Sequence, residues 1–344
     1  MGNKKKKAAL DRENGVAPGL IAKTKKRLVV AGGRSHPELT AAVAAALGQE
    51  VAPVEHRTFA SGEIYARFEV SIRGCDLFIV QSFGEPVNEW LMEQLIMVDA
   101  LKRASAKRIT VVAPYYPYSR QDKKGRGREP ISARLVSDML KTAGADRVMS
   151  VDLHAAQIQG FFDGPVDHLF AKPVLLEHFE GTLTAEDRET LTIVSPDMGR
   201  VRVADTWSDS LGAPLAIIHK RRDPNKANTV AVHEVVGDVE GKTCLLVDDM
   251  IDTAGTIAQA ATALRERGAK RVIAAATHAV FSGPAAERLN GTGMDEIIVT
   301  NTLPISNRDE INNLTILSIA PLIAKAINAV FLDGSVTSLF GGQA

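Results

Sequence analysis

The sequence predicts an α/β protein made of two similar domains, each with a mainly parallel β-sheet flanked by helices. Apolar strand-like runs alternate with helical stretches along the 344-residue chain, as expected for parallel strands joined by helical crossovers. The same spacing of strand, loop, helix and glycine stop occurs in residues 28–48 and 192–212. The helix-to-strand segments 99–109 and 262–272 also resemble each other. Repetition of whole units predicts two domains of common design.

The repeated units set the predicted domain limits. A basic leader covers residues 1–26 and contains Lys4-Lys5-Lys6-Lys7, a pattern typical of a solvated, disordered tail, with a binding arm as the alternative. We expect an N-terminal domain at residues 27–170 and a C-terminal domain at residues 171–333. The tail 334–341 is expected to return to the N-terminal domain.

Composition narrows the classes of function. The chain has 41 Lys and Arg against 41 Asp and Glu, and this balance argues against a nucleic-acid partner for the whole protein. No apolar stretch approaches the length of a bilayer span, which argues against a membrane partner. Cys75 and Cys244 each begin an apolar run, so buried free thiols in a reducing compartment explain them better than a disulfide. We therefore expect a cytoplasmic protein.

The strongest chemical pattern lies in residues 245–256. An apolar run ends on Asp248 and Asp249, a loop of small residues follows, and a helical pattern begins at Ile257. Backbone N–H groups of a Gly/Thr loop at a helix start bind anions such as phosphate. The two carboxylates would repel a phosphate, so they must face sugar hydroxyls or a metal ion. A phosphorylated sugar satisfies both halves, and the alternative is an acidic loop of an ordinary doubly wound protein.

The first domain lacks this pattern. Its corresponding strand runs into residues 81–88, which contain neither paired carboxylates nor a Thr/Gly loop. Ligands of such sheets bind at the carboxyl ends of the strands, so only the second copy is expected to hold a phosphorylated sugar.

Polar residues after other strands form further candidates. Arg120 and Gln121 lie in a basic segment interrupted by proline and glycine, which is either a solvated loop or a polyphosphate contact. His154 follows the strand 148–151, and Asp197 follows a strand of the second copy. A lone histidine is more often structural, but these two could meet near the domain boundary as Mg²⁺ ligands.

Three consecutive cations, Lys220-Arg221-Arg222, end an apolar strand and run into a Pro/Asn-rich segment. This segment is either an exposed hairpin or a cationic lid over a charged transition state. No catalytic triad, metal-type Cys/His spacing or P-loop lysine motif occurs. The pattern favours catalysis by positioning and charge neutralisation.

Together these motifs resemble the ribose-phosphate diphosphokinase (phosphoribosyl pyrophosphate synthetase) family, class I, in its actinobacterial form. Residues 152–165 resemble the family signature, 247–256 its phosphoribosyl-binding motif and 220–222 its flexible catalytic loop, and the similarity runs from about Arg27 to Phe340. The resemblance implies phosphoribosyltransferase-like domains. It also implies transfer of the diphosphoryl group of ATP to the anomeric hydroxyl of ribose 5-phosphate, with release of AMP.

The resemblance also implies a role for each matched residue. Lys220 and Arg222 would be catalytic, and His154 and Asp197 would bind the Mg²⁺ of ATP. ATP itself would be bound by Arg120, Gln121 and, from a neighbouring subunit, Phe59, Ser61 and Glu63. Ribose hydroxyls and their Mg²⁺ would be bound by Asp248 and Asp249, and the 5-phosphate by Asp252, Thr253, Ala254, Gly255 and Thr256.

The chain departs from the family pattern in places. Ser61 replaces the usual Asp, segment 195–200 lacks the second glycine that commonly follows its Asp, and the loop after Arg222 is slightly longer. The last two features are similar to the actinobacterial branch.

Regulation and assembly are also implied. Class I members are hexamers that inorganic phosphate activates and ADP inhibits at a subunit interface. Residues that match this interface pattern are Arg73, Gln159, Asp167, Ser335 and Phe340, with His168 where Asn is common.

Two alternatives remain. A phosphoribosyltransferase would need a base-binding hood and only one such domain. A non-catalytic regulatory subunit of the same family should have lost His154, the Lys220 loop or the Asp248 motif, and all three are present.

Overall fold

Two mainly parallel sheets form the framework of the protein and confirm the predicted fold class. The computed structural model describes residues 26–221 and 232–340. The predicted leader therefore lies outside the described residues, except for Lys26. Within the described residues, no helix is both long and apolar enough to cross a membrane.

The first sheet is fully parallel, with strand order β1-β4-β5-β6-β7. Strands β2 and β3 pair with each other as a separate antiparallel hairpin. The strands are β1 (Leu28–Gly32), β2 (Val54–Thr58), β3 (Ile64–Phe68), β4 (Asp76–Val80), β5 (Arg108–Ala113), β6 (Arg147–Val151) and β7 (Val166–Leu169). The helices are α1 (Pro37–Ala46), α2 (Val87–Arg103) and α3 (Ser132–Ala143), with a 3₁₀ turn at Ala156–Gly160.

The second sheet has the order β10-β9-β8-β11-β12-β13-β14, and only the β9–β10 pair is antiparallel. Its strands are β8 (Leu191–Ser195), β9 (Leu215–Arg221), β10 (Val232–Val236), β11 (Thr243–Ile251), β12 (Arg271–Ala279), β13 (Glu296–Thr300) and β14 (Leu314–Leu317). The helices are α4 (Lys172–Thr182), α5 (Ala185–Thr190), α6 (Val201–Leu211), α7 (Gly255–Glu266), α8 (Ala285–Asn290) and α9 (Ala320–Phe331). Short 3₁₀ turns lie at Met198–Arg200, Arg308–Glu310 and Thr337–Phe340.

The duplication predicted from the sequence is visible in the topology. Strands β1, β4, β5, β6 and β7 have the same order as β8, β11, β12, β13 and β14, and each copy has one hairpin between its first and second sheet strands. The predicted helix stops are also confirmed, because Gly48 and Gly212 follow α1 and α6 with φ of 63° and 62°, the left-handed conformation that glycine adopts readily. The domain limits at 170 and 333 stay a prediction.

A common apolar core joins the two copies. Phe78 of β4 and Leu245 of β11 belong to one cluster of buried side chains, together with Ile323 of α9. Helix α9 packs on α1, and Phe340 of the tail makes an edge-on contact with Phe170 at 5.4 Å. Both cysteines are buried and free, as predicted. The shared core fixes the carboxyl ends of both sheets relative to each other.

Candidate active site

The loop after β11 has the geometry of an anion site. Ala254 has a left-handed φ of 59°, which turns the chain sharply into α7 at Gly255. The first N–H groups of α7 therefore face the cavity that residues 248–257 line, and such groups have no partner within the helix. Arg288 Nη1 donates to the Thr253 carbonyl at 2.9 Å and supports the loop.

Strand β11 is longer than the sequence indicated. The prediction ended the strand at the two carboxylates, but pairing continues through Met250 and Ile251, which lie opposite His278 and Ala279 of β12. Asp248 therefore lies in the paired strand opposite Ala276, and the Asp249 N–H donates to Asp248 Oδ1 at 2.8 Å. Both residues line the cavity, which measures about 240 Å³.

The two carboxylates meet a guanidinium from the other side of the cavity. Arg200 Nε lies 3.1 Å from Asp248 Oδ1, and Arg200 Nη2 lies 2.7 Å from Asp249 Oδ1. Burial and the adjacent Asp249 charge raise the pKa of Asp248 well above its usual range. Burial also opposes ionisation of Asp249, but the hydrogen bond from His154 and the Arg200 charge outweigh it and lower its pKa.

His154 and Asp197 line the same cavity, and their predicted role as Mg²⁺ ligands stays a prediction. His154 Nδ1 lies 2.8 Å from Asp249 Oδ2. Asp197 Oδ1 accepts the backbone N–H groups of Gly199 and Arg200 at 2.8 and 3.1 Å, so it caps its own turn. Within the described residues, no three His, Cys, Asp or Glu side chains are grouped so that they could hold a metal ion by themselves.

Arg120 connects this cavity with the neighbouring one. Its Nη1 lies 2.6 Å from Asp252 Oδ2, beside the anion loop, and it also lines a second depression with Gln121 and Lys123. Gln121 Oε1 accepts a hydrogen bond from Ser132 at 2.6 Å. The loop carrying both residues is non-helical, as predicted.

The other predicted ATP residues lie at the tip of the β2–β3 hairpin. Phe59 is 51% exposed, and Ser61 Oγ donates to Glu63 Oε2 at 2.9 Å. None of the three lines the cavity at Asp248. Lys220 has its backbone in β9, paired with His233, while its side chain and all of Arg222 lie outside the described residues.

Among the five predicted regulatory residues, Gln159, Asp167 and Phe340 lie in one region. The described contacts do not connect Arg73 or Ser335 with that region. Gln159 Nε2 lies 3.3 Å from His168 Nδ1, His168 contacts Phe170 at 4.4 Å between ring centroids, and Phe340 packs on Phe170. Asp167 pairs with Arg147 at 2.8 Å, one residue from His168 on β7. Arg73 lines a separate cavity beside Arg67, and Ser335 bonds Thr337 at 2.8 Å within the tail.

Sequence reasoning missed a polar contact between the domains behind His154. Asp152 has a φ of 37°, and its Oδ2 accepts hydrogen bonds from Thr277 Oγ1 at 2.5 Å and from the Ala171 N–H at 3.0 Å. His278 Nε2 lies 3.1 Å from the Asp152 carbonyl. Burial raises the pKa of Asp152 to about 6, although the bonds from Thr277 and Ala171 lower it. Adjacent polar residues at the end of an apolar strand, Thr277 and His278, were the available signal.

The comparisons with known proteins agree with this geometry. A profile described as the N-terminal domain of ribose phosphate pyrophosphokinase matches residues 28–144, and one described as the phosphoribosyl synthetase-associated domain matches residues 226–341. The ribose-phosphate pyrophosphokinase of Streptomyces coelicolor is 60% identical over 94% of this chain and 99% of its own length. That of Mycobacterium tuberculosis H37Rv is 58% identical over 93% and 98%.

A solved structure supports the same conclusion. The crystal structure of phosphoribosylpyrophosphate synthetase from Mycobacterium smegmatis aligns with a TM-score of 0.84 and 59% identity, covering 90% of this chain and 100% of that one. The chain therefore belongs to the ribose-phosphate pyrophosphokinase family.

Proposed function

We propose that this protein synthesises 5-phosphoribosyl 1-pyrophosphate, which feeds nucleotide biosynthesis, by transferring the diphosphoryl group of ATP to the anomeric hydroxyl of ribose 5-phosphate and releasing AMP. The observation that carries the proposal is the single cavity in which a helix N-terminus, a carboxylate pair and an imidazole meet. Phosphate suits the first of these, and a sugar diol with a metal ion suits the other two.

Each end of the sugar phosphate has a partner in this cavity. Residues 252–256 at the start of α7 bind the 5-phosphate through backbone N–H groups, with hydroxyl donors from Thr253 and Thr256. Asp248 and Asp249 accept the ribose hydroxyls. Arg120, already 2.6 Å from Asp252, lies where a polyphosphate would approach the sugar from the first domain.

The residues present fit a divalent cation, and we assign it as Mg²⁺. Carboxylate oxygens of Asp197, Asp248 and Asp249 line one cavity, and oxygen is the donor that Mg²⁺ prefers. An incomplete protein shell suits Mg²⁺, which usually keeps water and substrate phosphates as ligands. When bound, the cation neutralises charge on the phosphates. His154 and Asp197 would hold the ion that arrives with ATP.

The reaction needs no covalent enzyme intermediate. The anomeric oxygen attacks the β-phosphorus in line, and AMP leaves from the opposite side. Lys220 and Arg222 stabilise the charge that develops on the transferring group. Phe59, Ser61 and Glu63 lie outside the cavity of their own chain, so we propose that they bind adenine in a neighbouring subunit of a homo-oligomer, which we assign as a hexamer.

We also propose regulation and a cellular location. Inorganic phosphate would activate and ADP would inhibit at a subunit interface formed by Arg73, Gln159, Asp167, Ser335 and Phe340. The balanced charge and the two buried free thiols support a cytoplasmic protein.

The deciding experiment measures AMP and phosphoribosyl pyrophosphate formed by the purified full-length protein with Mg²⁺ and phosphate. We expect equimolar products that require both ATP and ribose 5-phosphate. Lys220→Ala, purified identically, should form both products about a hundredfold more slowly, or slower still, and so excludes a contaminating enzyme, while Lys242→Ala, which changes a lysine outside the cavity, should retain activity. Absence of AMP would refute the proposal and favour a regulatory subunit. Consumption of phosphoribosyl pyrophosphate with a free base would favour a phosphoribosyltransferase.

A further inference from the structure

We propose that Arg200 is a built-in counter-cation that competes with the divalent metal ion for Asp248, Asp249 and His154. This inference rests on the proposed function, because it concerns the metal that the reaction requires. It assigns a role to the residue that occupies the position of the second glycine missing from segment 195–200. The guanidinium must leave this position before a metal ion can take it.

The geometry around one guanidinium nitrogen carries the argument. Arg200 Nη2 lies 2.6 Å from His154 Nδ1 and 2.7 Å from Asp249 Oδ1, and Nε of the same group lies 3.1 Å from Asp248 Oδ1. His154 Nδ1 is also 2.8 Å from Asp249 Oδ2. One Nδ1 cannot donate to Asp249 and accept from Arg200 at the same time. Arg200 and Asp249 therefore compete for this nitrogen, and the imidazole and both carboxylates all contact one positive centre.

The backbone that carries Arg200 connects this competition to Asp197. Arg200 ends the 3₁₀ turn Met198–Arg200 and precedes α6, and its N–H is bound by Asp197 Oδ1 at 3.1 Å. Asp197 is the carboxylate proposed to receive the metal of ATP. A cation that binds the Asp197 carboxylate therefore also affects Arg200, because this carboxylate accepts the Arg200 N–H and the Arg200 side chain must move. Metal capture and release of Arg200 are coupled through this turn.

The alternative interpretation is that Arg200 forms a permanent ion pair with Asp248 and Asp249, whose only role is to stabilise the second copy. Breaking a buried pair costs several kcal/mol when nothing replaces the lost charge. A divalent cation does replace it, with twice the charge, while the freed guanidinium regains water. The two interpretations predict opposite effects of removing Arg200 on metal binding.

The test measures binding of Mn²⁺, used as a spectroscopic substitute for Mg²⁺, to the full-length protein without nucleotide or sugar phosphate. Free Mn²⁺ is followed by electron paramagnetic resonance. We expect Arg200→Ala to bind Mn²⁺ about tenfold more tightly, or more, because hydrogen bonds to charged groups no longer have to be broken. Arg200→Lys keeps a charge but cannot bridge both carboxylates, so its affinity should be intermediate.

Two control variants separate competition from a general change in charge. Arg120→Ala removes the same charge from the same cavity without touching Asp248, Asp249 or His154, and Arg202→Ala removes it two residues along the chain. Both should change Mn²⁺ affinity much less than Arg200→Ala does. An equal gain in Arg120→Ala would overturn the proposal, and so would unchanged or weaker binding in Arg200→Ala and Arg200→Lys.

Thermal melting of each variant reports folding independently, and Arg200→Lys supplies the comparison if Arg200→Ala does not fold. AMP formation by the unaltered protein is measured separately. A protein that forms AMP but shows no effect of Arg200 on Mn²⁺ binding would refute this inference alone, whereas absence of AMP would refute the proposed function.

Discussion

Replacing Thr277 by valine should weaken both the fold and catalysis, because this hydroxyl joins the two domains directly behind His154. Thr277 is 3% exposed and donates to Asp152 Oδ2 at 2.5 Å across the domain boundary. Valine keeps the branched shape of threonine but cannot donate. The Asp152 carboxylate would then retain only the Ala171 N–H, at 3.0 Å.

The magnitude follows from the kind of bond that is lost. A hydrogen bond to a charged group contributes about 1.5–3 kcal/mol, against about 5–15 kcal/mol for the stability of a whole domain. For a domain of this size a loss near 2 kcal/mol corresponds to a thermal midpoint lowered by about 4–8 °C. Asp152 has a left-handed φ of 37°, so its backbone depends on such contacts. His154 lies two residues further, and we expect turnover to fall about tenfold or more, since small misplacements of reacting groups are costly.

Thr300→Val is the matched control for this experiment. Thr300 is also buried and donates at 2.7 Å, but to the neutral Thr277 carbonyl within the same sheet. Its loss should cost about 1 kcal/mol and leave turnover nearly intact. Differential scanning calorimetry and AMP formation are measured on both variants. Equal effects of the two changes would refute the role given to Thr277, and so would a Thr277→Val protein with unchanged turnover.

Three further outcomes are expected. Lys220→Ala should lower turnover about a hundredfold or more with nearly unchanged binding of ATP and ribose 5-phosphate by calorimetry, and equal losses in affinity and rate would contradict its role. Burial opposes ionisation of Asp187, but hydrogen bonds from Thr184, Thr243 and Arg271 lower its pKa to about 2. The ionised Asp187 contributes about 1–2 kcal/mol to the free energy of unfolding after allowance for solvent screening, and this contribution should be complete above pH ~4 and lost towards pH ~2. The difference in melting temperature between wild type and Asp187→Asn should therefore shrink over that range. A constant difference would argue against the contribution. Phe59→Ala should raise KM for ATP but not for ribose 5-phosphate, and equal increases in steady-state assays would count against adenine stacking.

Local patterns could be predicted from the sequence, and contacts between distant segments could not. The anion loop at residues 252–256 needs only small residues at a helix start, and these are contiguous in the chain. Arg200, in contrast, lies 46 residues from His154, and a single arginine after a turn is indistinguishable from a surface charge. The continuation of β11 was missed because acidic residues are uncommon in strands, whereas pairing of Met250 with His278 overrides that preference.

The first copy shows why we propose a sugar-phosphate site in the second copy alone. At the ends of β1 and β4, where the second copy has its cavity, Arg34 binds Glu93 through both its N–H at 2.7 Å and its Nε at 2.5 Å. Gln81 Nε2 donates to the same carboxylate at 3.1 Å, and its side chain lies so close to Gly33 that a Cβ there would be 2.3 Å from Gln81 Oε1. The chain's own charged and polar groups therefore fill the space that corresponds to the proposed ligand site of the second copy.

The hydrogen-bond network of Arg34, Glu93 and Gln81 also supports a separate task for the first copy. Arg34 Nη1 donates to Thr58 Oγ1 at 3.0 Å, at the end of β2, so the network holds the base of the hairpin that carries Phe59. In the second copy the corresponding hairpin, β9–β10, extends the sheet and carries Lys220. Under the proposed function, the duplicated unit would supply two hairpins to catalysis, one presenting cations to the transferring group of its own chain and one presenting an aromatic ring to the nucleotide of a neighbour.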